Sequence, residues 1–231
     1  VCRFIARYQF LSRQMKELGV DYPLPQCSGF DGWRDKFSNQ RATLIFASIY
    51  LNSPASMYGH TFIRFESEKK SRLNDTTVSY AVGGDTDDDP LFLVKSLIGS
   101  YPGEFYHIPF YNKVREYSDL DSRDMWEYET NLSSEEIDHM LAFIWEHSFS
   151  YTNYYFADDN CALMLLASLE AARPSLELLK TAKPWLIPLD VVKLVRDQPD
   201  LVTKVGYRPS QFNNAQFNFY RSDEKVQKDA V

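Results

Sequence analysis

A chain of 231 residues with 44% hydrophobic residues is long enough for one domain with a proper core, or one domain with a small appendage. Its net charge of −7, with no stripe of Lys and Arg, excludes a nucleic-acid partner. No apolar run approaches the roughly 20 residues that cross a bilayer, so lipid contact is expected to be peripheral or to lie outside these residues.

Residues 3–18 are amphipathic and predict a helix with Phe4, Tyr8, Leu11, Met15 and Leu18 as its core-facing stripe. Gly19 stops it. Pro23 and Pro25 extend the following stretch and can return Cys27 to the helix start. Cys2 and Cys27 flank this helix, whereas Cys161 stands alone. An even pair plus a leftover thiol fits an exported protein with one bridge and one reactive cysteine; three reduced, inert thiols of a cytosolic protein are the alternative. The chain opens inside a helical pattern and reads as a piece of a longer, processed protein.

A short helix is expected over 31–37. Residues 42–51 are rich in β-formers and predict a buried strand, 52–56 a turn, and 60–66 a second strand that begins at His60. Residues 67–75 form a solvated connection, and 77–82 a third strand. The acid cluster at 83–90 lacks the spaced ligands of a calcium loop and is read as solvated, with no metal. A short helix over 91–98 precedes strands at 104–109 and 125–132. Ser133-Ser134-Glu135-Glu136 is a capping box opening a helix through His147, with Ile137, Met140, Leu141 and Ile144 inward and His139 and His147 as ordinary surface or packing residues. After the aromatic run 151–156 comes a strongly helical segment from Cys161 to about 172. Short helices follow at 176–179 and 188–195, and beyond Arg208 the chain reads as an extended tail.

The order predicts an α+β architecture with one mostly antiparallel sheet. Asn160 is a favoured N-cap, which puts Cys161 in the first helical turn, where free N–H groups and the helix dipole favour a thiolate. A cysteine nucleophile also needs a base. His60, behind the tight Gly59, is the first candidate, and His107 on a predicted strand could orient or replace it. A strand-borne His facing a helix-borne Cys is the layout of papain-like thiol enzymes, here in permuted order. Each residue also has a plainer reading, Cys161 as a buried core thiol and His60 as a satisfied structural histidine.

The stretch Ser53-Pro54-Ala55-Ser56-Met57-Tyr58-Gly59-His60-Thr61-Phe62-Ile63-Arg64 resembles the signature of the Lnb N-terminal periplasmic domain family. So do residues 111–117, Arg123-Asp124-Met125-Trp126-Glu127-Tyr128, Asp159-Asn160-Cys161, Tyr207-Arg208-Pro209-Ser210, and the opening Cys2-Arg3-Phe4 with Cys27. That family is named for a bacterial lipoprotein N-acyltransferase and is similar to permuted NlpC/P60-type thiol enzymes. The resemblance implies a permuted papain-like catalytic domain over 42–210, an N-terminal helical segment over 1–41 that a Cys2–Cys27 bridge would clip, and a polar tail or linker over 211–231. It implies His60 and Cys161 as the catalytic pair beside Asn160. The third polar member is left between Tyr80 and Asp85, with Tyr80 preferred. The activity it implies is transfer of a fatty acyl group through a Cys161 thioester, without a cofactor. The donor would be a phospholipid or lipoprotein, and the acceptor a lipoprotein amine, in the periplasm or at the outer membrane of a Gram-negative bacterium. A cysteine hydrolase of the envelope (amidase, peptidase or lipase) and a non-enzymatic lipid- or partner-binding domain are the alternatives.

Overall fold

The computed structural model describes every residue except 24, 51–56, 69–70, 84–90, 151, 156–159, 184 and 223–231. Asp85 and most of the acid cluster therefore lie outside the described residues. Mixed helix and antiparallel sheet is the architecture. Seven strands, β1 (Arg41–Ala47), β2 (His60–Glu66), β3 (Thr76–Val82), β4 (Tyr101–Pro109), β5 (Met125–Thr130), β6 (Thr152–Tyr154) and β7 (Val202–Arg208), form one sheet in the order β6-β4-β3-β2-β1-β5-β7. Every neighbouring pair is antiparallel.

Helices α1 (Ile5–Glu17), α2 (Ser28–Arg34), α3 (Phe92–Leu97), α4 (Phe110–Lys113), α5 (Ser134–His147), α6 (Cys161–Ala172), α7 (Leu178–Thr181), α8 (Pro188–Arg196) and α9 (Gln211–Arg221) complete the described elements, with a π turn at Val114–Leu120. On one face of the sheet, Leu44, Ile63, Phe65, Val78 and Phe105 meet α5, α6 and α8 in the main core. α6 is its centre. Residues on nearly every side of this helix are buried, from Cys161 through Leu165 and Leu166 to Ala172, which is the pattern of a helix enclosed by the fold. On the other face Ile45, Phe62 and Met125 pack under Phe110 and Tyr117 of the 110–120 segment.

The α5 capping box forms as its spacing predicts: Ser133 Oγ accepts from the Glu136 N–H at 3.3 Å, and the Glu136 carboxylate accepts from the Ser133 N–H at 2.8 Å. Arg173, past the end of α6, grips the same carboxylate at 2.5 and 2.7 Å and so ties the two central helices together.

Three features depart from the sequence reading. α1 forms, but it buries Ile5, while Phe4, Leu11 and Leu18 of the expected inward stripe are exposed. Its seat is set by a Cys2–Cys27 disulfide and by the small cluster of Ile5, Cys27, Phe30 and Ala142. Residues 202–208 are a strand that the sequence did not signal, because as an edge strand β7 carries polar or half-exposed groups on both faces. Gln211–Arg221 form α9 rather than an extended tail. Ser210 caps its start, accepting from the Asn213 N–H at 3.2 Å, and Asp124 accepts from the Ser210 N–H at 2.8 Å.

The Arg173 guanidinium beside Glu136 holds that carboxyl down at about 2, against an ordinary 4.5. A lowered folded-state pKa stabilises the fold above the unfolded value, and that contribution is lost as pH falls from about 4.5 toward about 2. Glu136→Gln, which keeps the capping box but removes the charge facing Arg173, is predicted to cost about 1 kcal/mol at neutral pH and to flatten this acid limb, measured as urea midpoints across pH.

Candidate functional site

The head of α6 enters the sheet where it is least complete. β2 pairs with β3 only over Ile63–Phe65, whereas β3 pairs with β4 along its whole length. The start of β2 is therefore unpaired on its β3 side, and there the Thr61 backbone amide faces the Cys161 sulfur. The backbone amides of Cys161 and Ala162 and the Tyr154 hydroxyl face it too.

Asn160 fixes this geometry. Its Oδ1 accepts from the Ala162 N–H at 2.8 Å and from the Leu163 N–H at 3.3 Å, and its Nδ2 donates to the Leu186 carbonyl at 2.7 Å. One side chain thus caps α6 and pins it to the segment that leads into α8. Tyr58, Gly59, Tyr154, Ile187 and Pro188 wall a cavity of about 20 Å³ against Cys161 and Asn160, room for roughly one water. Cys161 is 6% exposed. Burial pushes its thiol up to about 11 despite the donors around it, so the resting group is a neutral thiol.

His60 lies on the other face. Side chains alternate along β2, so Thr61, Ile63 and Phe65 point toward α6, while His60, Phe62 and Arg64 point away. The His60 ring lies 5.9 Å from that of Tyr117 and 6.3 Å from that of Phe62. Burial lowers its pKa well below the ordinary imidazole value, and the positive charges of Lys113 and Arg123 lower it further. Its buried Nε2 has no hydrogen-bond partner among the described residues. The structure thus brings Cys161 and Asn160 together but leaves His60 across the strand. His107 faces Trp33 and Phe37, with ring centroids at 6.2 and 5.5 Å, and does not adjoin His60.

Tyr80 lies on the Cys161 side, one layer back. Its hydroxyl is 2.6 Å from Thr152 Oγ1 and its ring stacks 6.3 Å from that of Tyr154. Its ring backs that of Tyr154, whose hydroxyl faces the sulfur. Sequence reasoning missed Tyr154 and Thr61. Tyr154 sits in the aromatic run before the cysteine, but only its pairing across from Tyr101 on β4 aims it at the thiol. Thr61 contributes a main-chain group, for which the side-chain sequence carries no signal. Among the described residues no group of His, Cys, Asp and Glu is arranged to hold a metal ion, and no helix is long and apolar enough to cross a membrane.

A thiol of this kind is predicted to react with iodoacetamide about tenfold faster for each pH unit between about 7 and about 10, levelling only near 11. The measurement is alkylation of folded protein followed by mass spectrometry, and a plateau by pH 8 would show a thiolate instead. Asn160→Ala is predicted to lower stability by about 1 kcal/mol and to speed alkylation as the helix head loosens.

A family model described as the Lnb N-terminal periplasmic domain matches residues 29–198. No curated protein and no solved structure matches the chain.

Proposed function

Because this chain belongs to the Lnb N-terminal periplasmic domain family, and so to the bacterial envelope, we propose that it is a thiol-dependent acyltransferase with Cys161 as the acyl-carrying group. The observation that carries the reading is the convergence on one sulfur of a capped helix start, the Thr61 amide and the Tyr154 hydroxyl. In this reading the fold is a permuted papain-like one, with the cysteine on the central helix and its partner on the strand beside it.

Cys161 Sγ attacks an ester carbonyl of a phospholipid or of a lipoprotein glyceryl group and gives up its proton to a base. The sulfur–carbon bond forms, the ester carbon–oxygen bond breaks, and the leaving alkoxide takes a proton. An unprotonated amine, that of a lipoprotein N-terminal cysteine, then attacks the thioester; the carbon–nitrogen bond forms and the thiol is restored. The Thr61 and Cys161 backbone amides, which the Asn160 cap leaves free, stabilise the oxyanion at each stage, about 3 kcal/mol per well-placed donor. With water in place of the amine, the same steps make a hydrolase.

Two adjustments precede reaction. The wall of Tyr58, Ile187 and Pro188 opens, since about 20 Å³ admits no acyl chain. The His60 imidazole also reaches the sulfur side. The unpaired β3-side edge of residues 60–62 and the left-handed Gly59, at φ +84°, make the start of β2 the place where one residue can turn over.

A second reading follows from the buried neutral thiol and the His60 ring across the strand: a non-enzymatic domain that binds a lipid or partner protein. Incubation with labelled phospholipid and an amine acceptor separates the readings. The acyltransferase yields labelled amide, which falls roughly 10³-fold or more in Cys161→Ser and roughly 10²- to 10⁴-fold in His60→Ala. Labelled fatty acid alone identifies a hydrolase. Full amide formation by Cys161→Ser would eliminate the thioester, and no turnover by any variant favours the binding domain.

A further inference from the structure

α1 carries an apolar stripe that none of the described residues covers. Phe4, Leu11 and Leu18 recur along one side of the helix and are 50%, 49% and 76% exposed. Phe10 and, in the strap that returns along the helix, Val20 and Tyr22 enlarge the patch. The strap is fixed: the rings of Tyr22 and Tyr8 stack at 4.8 Å, and Ser12 Oγ donates to the Tyr22 carbonyl at 2.6 Å. The outward stripe is therefore not a frayed end. The disulfide and Ile5 clamp the opposite side of the helix to α2 and α5.

The charges along the helix are mostly positive. Residues 1–18 contain Arg3, Arg7, Arg13 and Lys16 against a single acid, Glu17, in a chain whose net charge is −7. All four cations are exposed, and Arg3 and Arg7 flank the stripe, whereas Arg13 and Lys16 lie on the reverse of the helix, where Arg13 Nη1 is 3.3 Å from His139 Nδ1 of α5. Arg7, although paired with Glu146 at 2.5 Å, keeps 73% of its side chain in solvent, and it sits one helical turn from both Phe4 and Leu11. Beside it, a groove of about 610 Å³ between α1 and α5 is lined by Phe10, Leu11, Phe143 and Pro174. Large apolar side chains interleaved with cations on an otherwise acidic protein complement an anionic, apolar-centred surface.

We propose that α1 is a docking surface for a bilayer containing anionic phospholipid, lying flat on it with Phe4, Leu11 and Leu18 inserted and Arg3 and Arg7 at the headgroups. The inference rests on α1 alone and not on the chemistry of Cys161.

Flotation of the oxidised chain with vesicles tests it. The protein is expected to float with vesicles of phosphatidylethanolamine plus phosphatidylglycerol and not with phosphatidylcholine alone, and to detach as salt rises. Replacing the inserted side chains together (Phe4→Ser, Leu11→Ser, Leu18→Ser) should weaken binding by about tenfold or more. Arg3→Glu should weaken it by about fivefold per charge, and Lys16→Glu, on the reverse of the helix, by less. Phe217→Ser with Tyr220→Ser on α9, equally exposed and beside the single cation Arg221, should leave it unchanged. Circular dichroism confirms that each variant is folded. Binding unaffected by the α1 changes, equal binding to phosphatidylcholine, or no binding to either vesicle overturns the proposal. So does a dimer in sedimentation velocity that the α1 variant converts to monomer, because the stripe would then be covered by a second copy.

Discussion

The pleat of β2 governs what this molecule can do at its centre. Adjacent residues of a strand face opposite sides of a sheet, so the one-residue step from His60 to Thr61 spans two separate environments. One is the core around α6, where a thiol meets backbone donors. The other is the layer under Phe110 and Tyr117, where an imidazole shares space with two cations. Both groups are held neutral, the thiol by burial and the imidazole by burial and by neighbouring positive charge. Proton transfer between them thus requires a change of strand conformation, and the incomplete pairing with β3 is where the sheet resists such a change least.

That second layer is held by a buried ionic cluster. Arg64 is fully enclosed and reaches Glu66 at 2.6 Å and Glu127 at 3.0 Å, with Asp75 at 3.8 Å. Arg72 also pairs with Glu127, and Arg208 approaches it at 3.5 Å. One carboxylate on β5 therefore collects guanidiniums from β2, from the connection to β3, and from β7. A buried cluster of this kind gives little net stability over apolar packing, but removing one partner strands a charge. It fixes how the strands line up, and through β2 it fixes which side chain faces the cysteine.

Local signals in the sequence carried most of the architecture. The Ser133 capping box and the Asn160 cap are written in neighbouring residues, so α5 and α6 start where their spacing puts them. Parity along β2 was not legible, because Phe62 on one face and Ile63 and Phe65 on the other are equally apolar; which face meets α6 is settled by partners far away in the chain. α1 was legible as a helix but not in orientation, since its seat depends on a disulfide and on Ile5 rather than on its larger stripe. β7 and α9 escaped because the strand is polar on both sides and the helix is rich in Asn, whose intrinsic helix preference is low. Their anchor, Asp124, lies just before β5, far away in the chain.

The bridge at the start of the chain decides which thiol stays free. Three cysteines permit three single bridges, and two of them would consume the thiol at the head of α6. The core around that helix encloses Cys161, while Cys2 and Cys27 meet at the seat of α1. The folded arrangement thus keeps the sulfur at the centre out of the bridge, and α1 is locked into place only where an oxidant is available.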